Sequence, residues 1–462
     1  MTAARMMGLH EAARAIAAKA QGVDAGFSGV STDSRSIAAG ELFVALQGDK
    51  FDGHAYVAEV LARGAVGAVV KDEFAAAHPD LPLIGVGDTR LALGALAAQW
   101  RGRFAIPLLG VTGSNGKTTV KEMCAAILRA HFGNADAVLA TVGNLNNDIG
   151  LPLTLLKLRE SHRAAVIEMG MNHAGEIDYL ARMARPTVAL IINAQRAHLE
   201  GLGTVENVAL AKGEIFVGLP ADGVAVFNAD DAQVDVWREL SRDYRQVSFG
   251  LDRPADVCGR FTARGLGGEL NMRTPWGEID LALAVPGCHG ARNACAAAAA
   301  TLVAGAPAAA VKQGLEGFAG VKGRLQRRTG RAGALVVDDS YNANPDSMRA
   351  AIDVLASVPG RRIFVMGDMG EVGAAAGQFH DEVGGYAKSQ GIDRLLCLGD
   401  FSAAAAANFG AGGQHFSRLD DLLRTLRAEL GPQTTVLVKG SRFMRMERVV
   451  EAIVDEGVVN AA

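Results

Sequence analysis

One stretch of the sequence decides the fold: Gly110-Val-Thr-Gly-Ser-Asn-Gly-Lys-Thr-Thr119. The apolar run 105–111 predicts a buried strand that leads into it, and the segment 119–131 predicts a helix that follows. A glycine-rich turn between a strand and a helix surrounds phosphate oxygens with backbone N–H groups and a helix N-terminus. Lys117 can reach the β- and γ-phosphates of a nucleotide, and the Thr118 hydroxyl can bind Mg²⁺. The stretch therefore predicts a nucleotide-binding domain with a parallel sheet.

The spacing of this loop departs from the common Gly-x4-Gly-Lys-Ser/Thr pattern, because Val111 stands six residues before Lys117. Its glycines fall at 110, 113 and 116, where they permit close approach of the backbone to a ligand. A purely structural turn is the alternative, and the Lys117-Thr118 pair disfavours it. We expect the following residues to contact ATP: Gly113, Ser114, Asn115, Gly116, Lys117, Thr118 and Thr119.

Apolar runs on both sides of the loop predict the rest of the architecture. Further strands are predicted at 164–168, 188–193, 223–228, 334–339, 362–366, 394–398 and 435–439. The alternating segment 256–285 predicts an antiparallel addition. We predict an α/β fold with three domains, at 1–103, 104–322 and 323–462. The second would be a P-loop parallel sheet covered by helices, and the third a doubly wound, Rossmann-like α/β domain.

The composition excludes several classes of protein. The 462 residues carry a formal net charge of −4 and only 5% aromatic residues, so we expect no nucleic-acid partner. The one long uncharged run, Ala294–Val311, is mostly alanine, so we expect no integral membrane protein. Five scattered cysteines without a CxxC pair indicate reduced thiols and a cytoplasmic protein.

Other motifs occur in the order known from one enzyme family. They are Ile167-Glu-Met-Gly-Met-Asn-His173, Asn193-Ala-Gln-Arg-Ala-His198, Ala211-Lys-Gly213, Asp339-Ser-Tyr-Asn-Ala-Asn-Pro-Asp-Ser-Met348, Gly367-Asp-Met-Gly-Glu371 and Val438-Lys-Gly-Ser-Arg442. With the phosphate loop, they make the chain resemble the Mur ligases, whose relatives include the folylpolyglutamate synthetases. The resemblance covers nearly the whole chain, and the run ending at Met348 is its more specific element.

The metal site combines one inference from the residues with others from the resemblance. Glu168 is predicted at the end of a strand beside the phosphate loop, where a carboxylate suits Mg²⁺; a solvated or capping glutamate is the alternative. The resemblance implies that His198 binds a second Mg²⁺ and that Lys212 is carbamylated and helps to hold metal. Thr118 would complete the ligands. Lys117, His198 and Lys212 would be the catalytic residues. Taken alone, His198 would more often be structural and Lys212 a surface lysine.

The resemblance also implies where substrates and nucleotide bind. The UDP end of the substrate would be held by Ser31, Asp33, Ser34, Arg35 and Gly48, a region that alone would be interpreted as a polar turn with a salt bridge. Further substrate contacts would come from Asn144, Asn147, Asn342, Asn344 and Ser347. The nucleotide would also contact Asn293, Arg324 and Asp339. In His289-Gly-Ala-Arg-Asn293, Gly290 replaces the asparagine that the family usually carries.

The activity implied by the resemblance is an amide ligation driven by ATP with two Mg²⁺ ions. ATP converts a carboxylate into an acyl phosphate, which an amine then attacks. The third-domain motifs imply D-alanyl-D-alanine as the amine and UDP-N-acetylmuramoyl-tripeptide as the carboxylate substrate. The product would be the UDP-muramoyl-pentapeptide precursor of peptidoglycan, made in the bacterial cytoplasm by a monomer.

Four alternatives stay open. One is another Mur-type amide ligase. A folylpolyglutamate synthetase would share the mechanism without needing a uridine-binding first domain. A regulatory P-loop ATPase would leave the third-domain motifs without a role. An inactive scaffold is disfavoured because Lys117, Glu168, His198 and Lys212 are all present. The third residue of the tripeptide, diaminopimelate or lysine, is open as well.

Overall fold

A computed structural model describes residues 5–455 of the chain. Three α/β units follow one another, and each is built on its own main sheet. No helix in the described part of the chain is both long enough and apolar enough to cross a bilayer. The α/β fold predicted from the sequence is confirmed.

The first unit has a five-stranded main sheet. Its elements are β1 (Met7–Gly8), α1 (Leu9–Ala15), β2 (Lys19–Ala20), β3 (Gly26–Phe27), β4 (Gly29–Ser31), β5 (Glu41–Val44), β6 (Gln47–Gly48), β7 (Phe51–Asp52), a 3₁₀ helix (Gly53–Tyr56), α2 (Val57–Ala62), β8 (Gly67–Lys71), α3 (Asp72–Ala77), β9 (Leu83–Val86) and α4 (Thr89–Arg101). The strand order is β2-β9-β8-β5-β4, and only β2 runs antiparallel to its neighbour. The pairs β1-β3 and β6-β7 form two small separate sheets.

The second unit has nine strands. Its elements are β10 (Leu108–Thr112), α5 (Lys117–Phe132), a 3₁₀ helix (Ala135–Ala137), β11 (Val138–Ala140), α6 (Gly150–Leu155), β12 (Ala164–Glu168), α7 (Glu176–Ala184), β13 (Val188–Ile191), α8 (Leu199–Leu202), α9 (Val205–Gly213), a 3₁₀ helix (Glu214–Gly218), β14 (Val224–Asn228), α10 (Val234–Leu240), β15 (Arg245–Gly250), β16 (Val257–Arg264), β17 (Gly267–Thr274), β18 (Gly277–Leu283), α11 (Gly287–Val303) and α12 (Ala308–Glu316). The order is β11-β12-β10-β13-β14-β15-β16-β17-β18. The strands are parallel as far as β16, and β16–β18 form the antiparallel addition predicted for 256–285.

The third unit is a six-stranded, doubly wound sheet. Its elements are β19 (Gln326–Thr329), a 3₁₀ helix (Arg331–Gly333), β20 (Leu335–Asp339), α13 (Pro345–Ala356), β21 (Arg361–Gly367), a 3₁₀ helix (Gly373–Ala375), α14 (Ala376–Ser389), β22 (Arg394–Leu398), α15 (Ser402–Phe409), β23 (Gly413–Phe416), α16 (Leu419–Ala428), β24 (Thr434–Lys439), a 3₁₀ helix (Arg442–Met444) and α17 (Glu447–Ile453). The order is β19-β20-β24-β21-β22-β23, and only β19 is antiparallel.

The register of the central sheet positions the site. Val111 of β10 pairs with Glu168 of β12, and Thr112 pairs with Ile191 of β13. All residues of these three strands are buried, as expected for a parallel sheet covered on both faces. The carboxyl ends of β10, β12 and β13 therefore meet at one edge, where ligands of open α/β sheets bind. The domain boundaries themselves stay predictions.

Candidate active site

The phosphate loop lies between the end of β10 and the first turn of α5. Gly116 adopts a φ of +84°, which residues with a side chain rarely adopt. A Cβ atom there would also lie 2.7 Å from Asn293 Oδ1, so the backbone conformation and the lack of space both exclude a side chain. The Lys117 side chain folds back over the loop, and its Nζ donates to the Gly113 carbonyl at 2.6 Å. Burial lowers the pKa of Lys117, and the charge of Glu168 opposes that effect. The loop thus has the strand–turn–helix form of a phosphate site with a lysine held over it.

Glu168 ends β12 beside the loop and is 2% exposed. Its Oε2 accepts a hydrogen bond from Thr118 Oγ1 at 2.9 Å, and its Oε1 accepts one from Asn146 Nδ2 at 2.8 Å. The alternative of a solvated or helix-capping glutamate does not describe this buried carboxylate. Carboxylate and hydroxyl oxygens that converge at a sheet edge are the donors that Mg²⁺ prefers.

The asparagine turn before α6 contains a residue that the sequence analysis missed. Asn144 and Asn147 both line the site, but Asn147 Oδ1 also accepts from the Gly150 N–H at 2.9 Å, at the start of α6. The residue that reaches Glu168 is Asn146, which lies between them. The polar run itself was visible in the sequence. A one-dimensional pattern does not tell which member of such a turn faces the carboxylate.

The segment after β13 packs against the phosphate loop. The Asn115 N–H donates to Asn193 Oδ1 at 2.9 Å, and Asn193 Nδ2 donates back to the Asn115 carbonyl at 3.1 Å. His198 follows with a φ of +57°, and its Nδ1 lies 3.2 Å from Glu371 Oε2 of the third unit. The neighbouring His198 lowers the pKa of Glu371. His198 therefore lies at the same site, next to a carboxylate from another unit.

Lys212 lies near the end of α9 and is 1% exposed, so it is not a surface lysine. Burial, together with the positive charge of Lys117, lowers the pKa of Lys212 well below its usual value. Within residues 5–455, no carboxylate pairs with its ammonium group. The lowered pKa increases the fraction of neutral amine, which is the nucleophilic form of the side chain.

The third unit brings a second set of charges to the site. Asp339 ends β20 and Lys439 ends the neighbouring strand β24, and their Oδ2 and Nζ atoms lie 2.6 Å apart. Burial raises the pKa of Asp339, and the charge of Lys439 opposes that rise. The Arg324 guanidinium carbon lies 4.3 Å from the centre of the Tyr341 ring. Two predicted nucleotide contacts, Arg324 and Asp339, thus lie in one charged cluster.

A cavity of about 880 Å³ lies between the second and third units and joins these groups. The predicted residues that line it are Ser114, Asn115, Gly116, Lys117, Thr119, Asn144, Asn147, Glu168, His198, Asn293, Arg324, Asp339, Asn342, Asn344 and Ser347. Thr118 and Lys212 are buried beside this lining. Most residues selected from the sequence are therefore brought together around one space.

The predicted UDP contacts lie apart from this cavity, because none of its described lining residues comes from the first unit. Asp33 Oδ1 accepts from the Arg35 backbone N–H and from Arg35 Nε, each at 2.9 Å, and this pairing lowers the pKa of Asp33 to about 2. The Asp33 N–H donates to Ser31 Oγ at 3.2 Å. A polar turn with a salt bridge is thus present. Substrate binding by this turn, by Ser34 and by Gly48 stays a prediction.

Asn344 has two contacts in the structure. Its Oδ1 accepts from the Ser347 N–H at 2.9 Å, and Ser347 Oγ accepts from the Asn344 N–H at 3.0 Å, which forms a capping box at the start of α13. Its Nδ2 also donates to Asn115 Oδ1 at 2.8 Å and so joins the third unit to the phosphate loop. Contact of Asn342, Asn344 and Ser347 with a dipeptide stays a prediction.

An ion cluster around Arg196 connects the second and third units and was not predicted. Arg196 Nη2 donates to Asp346 Oδ1 at 2.7 Å, and its Nη1 donates to Glu382 Oε2 at 3.0 Å. Arg349 Nη1 also donates to Glu382, at 2.9 Å. Arg196 and Asp346 both lie in motifs quoted from the sequence, but 150 positions separate them. Spacing alone gives no signal that pairs them.

Steric crowding in the segment after β18 accounts for Gly290, which replaces the asparagine usual in the family. A Cβ atom at Gly290 would lie 2.9 Å from Val285 Cγ1, so a side chain there would require a shift. Asn293, the asparagine that remains, lies against Gly116 of the phosphate loop. The buried Nε2 of His289 has no hydrogen-bond partner among the described residues, and burial lowers the pKa of His289 to about 4.

Comparison with known proteins places this geometry in a family. Three family models match along the chain: Mur ligase family, catalytic domain, at 26–101; Mur ligase middle domain, at 111–301; and Mur ligase, glutamate ligase domain, at 323–442. The chain is 44% identical over 444 residues to UDP-N-acetylmuramoyl-tripeptide--D-alanyl-D-alanine ligase of Escherichia coli (strain K12), which covers 95% of this chain and 96% of that protein.

Solved structures agree with this assignment. A crystal structure of MurF from Acinetobacter baumannii matches with a TM-score of 0.89 and 35% identity, over 96% of this chain and 98% of that chain. The MurF ligase from Thermotoga maritima in complex with ADP matches with a TM-score of 0.79 and 26% identity, over 92% and 96%. The chain belongs to the Mur ligase family.

Proposed function

We propose that this protein is an ATP-dependent ligase that joins D-alanyl-D-alanine to UDP-N-acetylmuramoyl-tripeptide, giving the UDP-muramoyl-pentapeptide precursor of peptidoglycan. One observation carries the proposal: Lys117 and Glu168 of the second unit meet Arg324 and Lys439 of the third around one cavity. The similarity to the Escherichia coli ligase of that name, along nearly the whole chain, supports the choice of substrates.

The reaction brings a carboxylate and a triphosphate together, so the site must supply positive charge. Lys117, at the N-terminus of α5, and Arg324 of the third unit both line the cavity, where they would supply positive charge to the phosphates. The substrate carboxylate attacks the γ-phosphorus, the bond to ADP breaks, and an acyl phosphate forms. The dipeptide amine then attacks the carbonyl carbon, loses a proton and displaces phosphate as an amide bond forms.

We propose that four residues supply the donors for two Mg²⁺ ions. Among the described residues no three His, Cys, Asp or Glu side chains converge on a metal position, so the set also needs the Thr118 hydroxyl and a modified Lys212. Thr118 Oγ1 already lies 2.9 Å from Glu168 Oε2, and His198 lies at the same cavity. Thr118, Glu168, His198 and Lys212 would hold the ions. Bound Mg²⁺ would neutralise the charge that develops on the transferred phosphoryl group.

The surroundings of Lys212 support its carbamylation. A neutral lysine amine attacks CO₂, forms an N–C bond and releases a proton, so the cation becomes a carbamate anion. Because Lys212 is buried beside Lys117 without a carboxylate partner in the described structure, the positive form is disfavoured there. The carbamate anion would pair with metal and with the charge of Lys117. The modification therefore removes a repulsion and adds a ligand.

Contacts between the second and third units support a closed arrangement for the reaction. Asn344 bonds to the phosphate loop, and Asp346 binds Arg196 beside the His198 segment. Closure of this kind aligns reactants and excludes water, which would otherwise hydrolyse the acyl phosphate. One chain supplies both walls of the cavity, so a monomer is sufficient. Because ATP and UDP-linked precursors are cytoplasmic metabolites, we propose that the reaction takes place in the cytoplasm.

Phosphate release with defined substrates tests the proposal. The purified protein is supplied with ATP, Mg²⁺, D-alanyl-D-alanine and a UDP-muramoyl-tripeptide, and product mass is measured. We expect phosphate only when both substrates are present, together with a pentapeptide product. Phosphate release without the dipeptide would indicate an ATPase, and ligation of glutamate to a folate would indicate a folylpolyglutamate synthetase. Parallel reactions with diaminopimelate and lysine tripeptides identify the third residue.

A further inference from the structure

We propose that Glu371 is a positioning residue: it accepts the Nδ1–H of His198 and so directs the other ring nitrogen towards metal. This inference rests on the proposed function, which assigns His198 to a metal site. The new element is that a carboxylate of the third unit, Glu371, orients a metal ligand of the second unit, His198. Assembly of the metal site would then depend on docking of the third unit.

The geometry of the pair supports this role. His198 Nδ1 and Glu371 Oε2 form an ion pair at 3.2 Å, which is the upper end of the range for an N–H···O hydrogen bond. Within the described part of the chain, no side chain pairs with the Nε2 atom of His198, and the residue lines the cavity. A histidine that donates from Nδ1 to a carboxylate has its lone pair on Nε2, which is the arrangement that metal-binding histidines commonly adopt.

The backbone at both partners is unusual. His198 has a φ of +57° and Glu371 a φ of +59°, so each occupies the left-handed region that few residues other than glycine adopt. Such conformations concentrate at functional sites, where the surrounding structure holds them in place. His198 and Glu371 both adopt this conformation, and they face each other across the interface between the second and third units. We therefore interpret their contact as functional.

The loop that carries Glu371 is fixed from two sides. The Met369 N–H donates to the buried Nε2 of His380 at 2.8 Å, and the Gly370 N–H donates to Ser441 Oγ at 2.7 Å. Ser441 Oγ lies 3.2 Å from the carbonyl of Ala343, in the motif that precedes α13. The position of the Glu371 backbone is therefore set by other parts of the third unit, and its contact with His198 reports on docking of that unit.

The competing explanation is an ordinary surface ion pair. The Glu371 side chain is 60% exposed, and exposed pairs typically contribute little to stability. A surface pair predicts no effect on metal binding, whereas a positioning role predicts a weaker metal site. Loss of an outer carboxylate partner of a metal-binding histidine typically weakens metal affinity about 10–100-fold.

Mn²⁺ binding to the full chain, followed by electron paramagnetic resonance with a non-hydrolysable ATP analogue present, tests the role. We compare wild type with Glu371→Ala, Glu371→Gln and His198→Ala. The control is Glu200→Gln, which removes an exposed negative charge two residues after His198. We expect Glu371→Ala to weaken one Mn²⁺ site about 10–100-fold, Glu371→Gln to weaken it less, and the control to leave it unchanged.

The outcomes separate this inference from the proposed function. If His198→Ala abolishes one Mn²⁺ site but Glu371→Ala binds within about twofold of wild type, Glu371 has no positioning role and the proposed function stands. If His198→Ala keeps both sites, the metal assignment of His198 and this inference both fail. Nitrogen-15 NMR of the histidine rings adds a direct measure: wild type should show His198 protonated at Nδ1, and Glu371→Ala should lose that preference. Melting curves confirm that each variant is folded.

Discussion

Lys121 on α5 and Lys212 on α9 are equally buried, each with 1% of its surface exposed, yet their surroundings differ. Lys121 Nζ donates to the Thr141 carbonyl at 2.5 Å and pairs with Glu122 at 2.7 Å. For Lys212, the described residues supply no carboxylate, and a second positive charge, that of Lys117, is close enough to lower its pKa. A buried ammonium group is stable only when it is paired. The protein itself pairs the ammonium group of Lys121. Lys212 would lose its unpaired positive charge only through carbamylation.

The presence or absence of a charge partner separates lysines that stabilise the fold from lysines that take part in binding or catalysis. A buried lysine whose charge is paired within the protein needs no bound ligand to stabilise it. Lys439, which lies inside the site, is paired in this way with Asp339. A buried lysine without partners indicates that an anion arrives from outside the folded chain. Lys117 is intermediate, because its ammonium group bonds to loop carbonyls until phosphate is present. These lysines therefore provide a graded set of tests.

The largest effect is expected for Lys117→Ala, which removes the charge held over the phosphate loop. We expect ligation to fall by at least about 10²-fold, because charge stabilisation of a transferred group is lost. The fold should survive, since within residues 5–455 the ammonium group bonds only to the carbonyls of its own loop. The measurement is steady-state ligation with a melting curve. Lys312→Ala, at a half-exposed lysine of α12, is the matched control and should leave ligation unchanged. Retained activity within about tenfold of wild type would remove the phosphate role.

Lys212→Ala should reduce ligation by about 10–100-fold, by analogy with other losses around a bound metal. Bicarbonate should restore part of the activity, because a small carboxylate can enter the space that the lysine leaves. Lys212→Glu should recover less, since glutamate is shorter than the carbamate. Assays with and without bicarbonate, at constant pH and ionic strength, measure the rescue.

Native mass spectrometry of the wild-type protein gives an independent result for Lys212. A carbamate would add the mass of CO₂ at neutral pH and would be lost on acidification. Lys121→Ala is the control, and bicarbonate should have no effect on it, since Lys121 has protein partners. A fully active wild-type protein with an unmodified Lys212 would contradict the carbamate and return this residue to the structural class.

The fold was predictable to a large extent because periodicity and turn chemistry are local signals. The strands at 164–168 and 394–398 have the predicted bounds, and α5 begins at Lys117 rather than at 119, directly after the left-handed Gly116. Several strands were missed, among them β15 and β23. Polar residues occupy half or more of each, so neither forms a continuous apolar run.

Many individual site residues were predictable from the sequence, but the contacts between them were not. The phosphate loop, Glu168 and Asp339 were found because motif and strand end coincide. Asn146, Arg196 and Glu371 were missed as functional candidates, although Arg196 and Glu371 lie within family motifs and Asn146 lies between the predicted contacts Asn144 and Asn147. Their partners come from distant elements, so only the folded chain reveals them. The burial of Lys212 was hidden for the same reason.

Lys121→Met should have a smaller effect, and on stability rather than on ligation. Methionine keeps the apolar volume but leaves the buried carbonyl of Thr141 without its donor. A buried acceptor left unpaired costs about 1–3 kcal/mol of unfolding free energy. Urea denaturation measures that loss, and kcat for ligation should stay within about threefold of wild type. A large fall in kcat at unchanged stability would mean that Lys121 belongs with Lys212 and would end the distinction between them.

The smallest effect is expected for Asn344→Ala, which tests a contact of neutral side chains beside these charged ones. Asn344 caps α13 and bonds to Asn115, so loss of the cap should cost about 0.5–2 kcal/mol of stability. If Asn344 also contacts the dipeptide, the KM for D-alanyl-D-alanine should rise, while the KM values for ATP and the UDP-substrate change little. Asn344→Asp keeps the oxygen that caps α13 and accepts from Asn115 Nδ2, and it loses the bond that the Asn344 amide donates to Asn115 Oδ1. A lowered melting temperature with three unchanged KM values would restrict Asn344 to the helix cap and remove it from the substrate contacts.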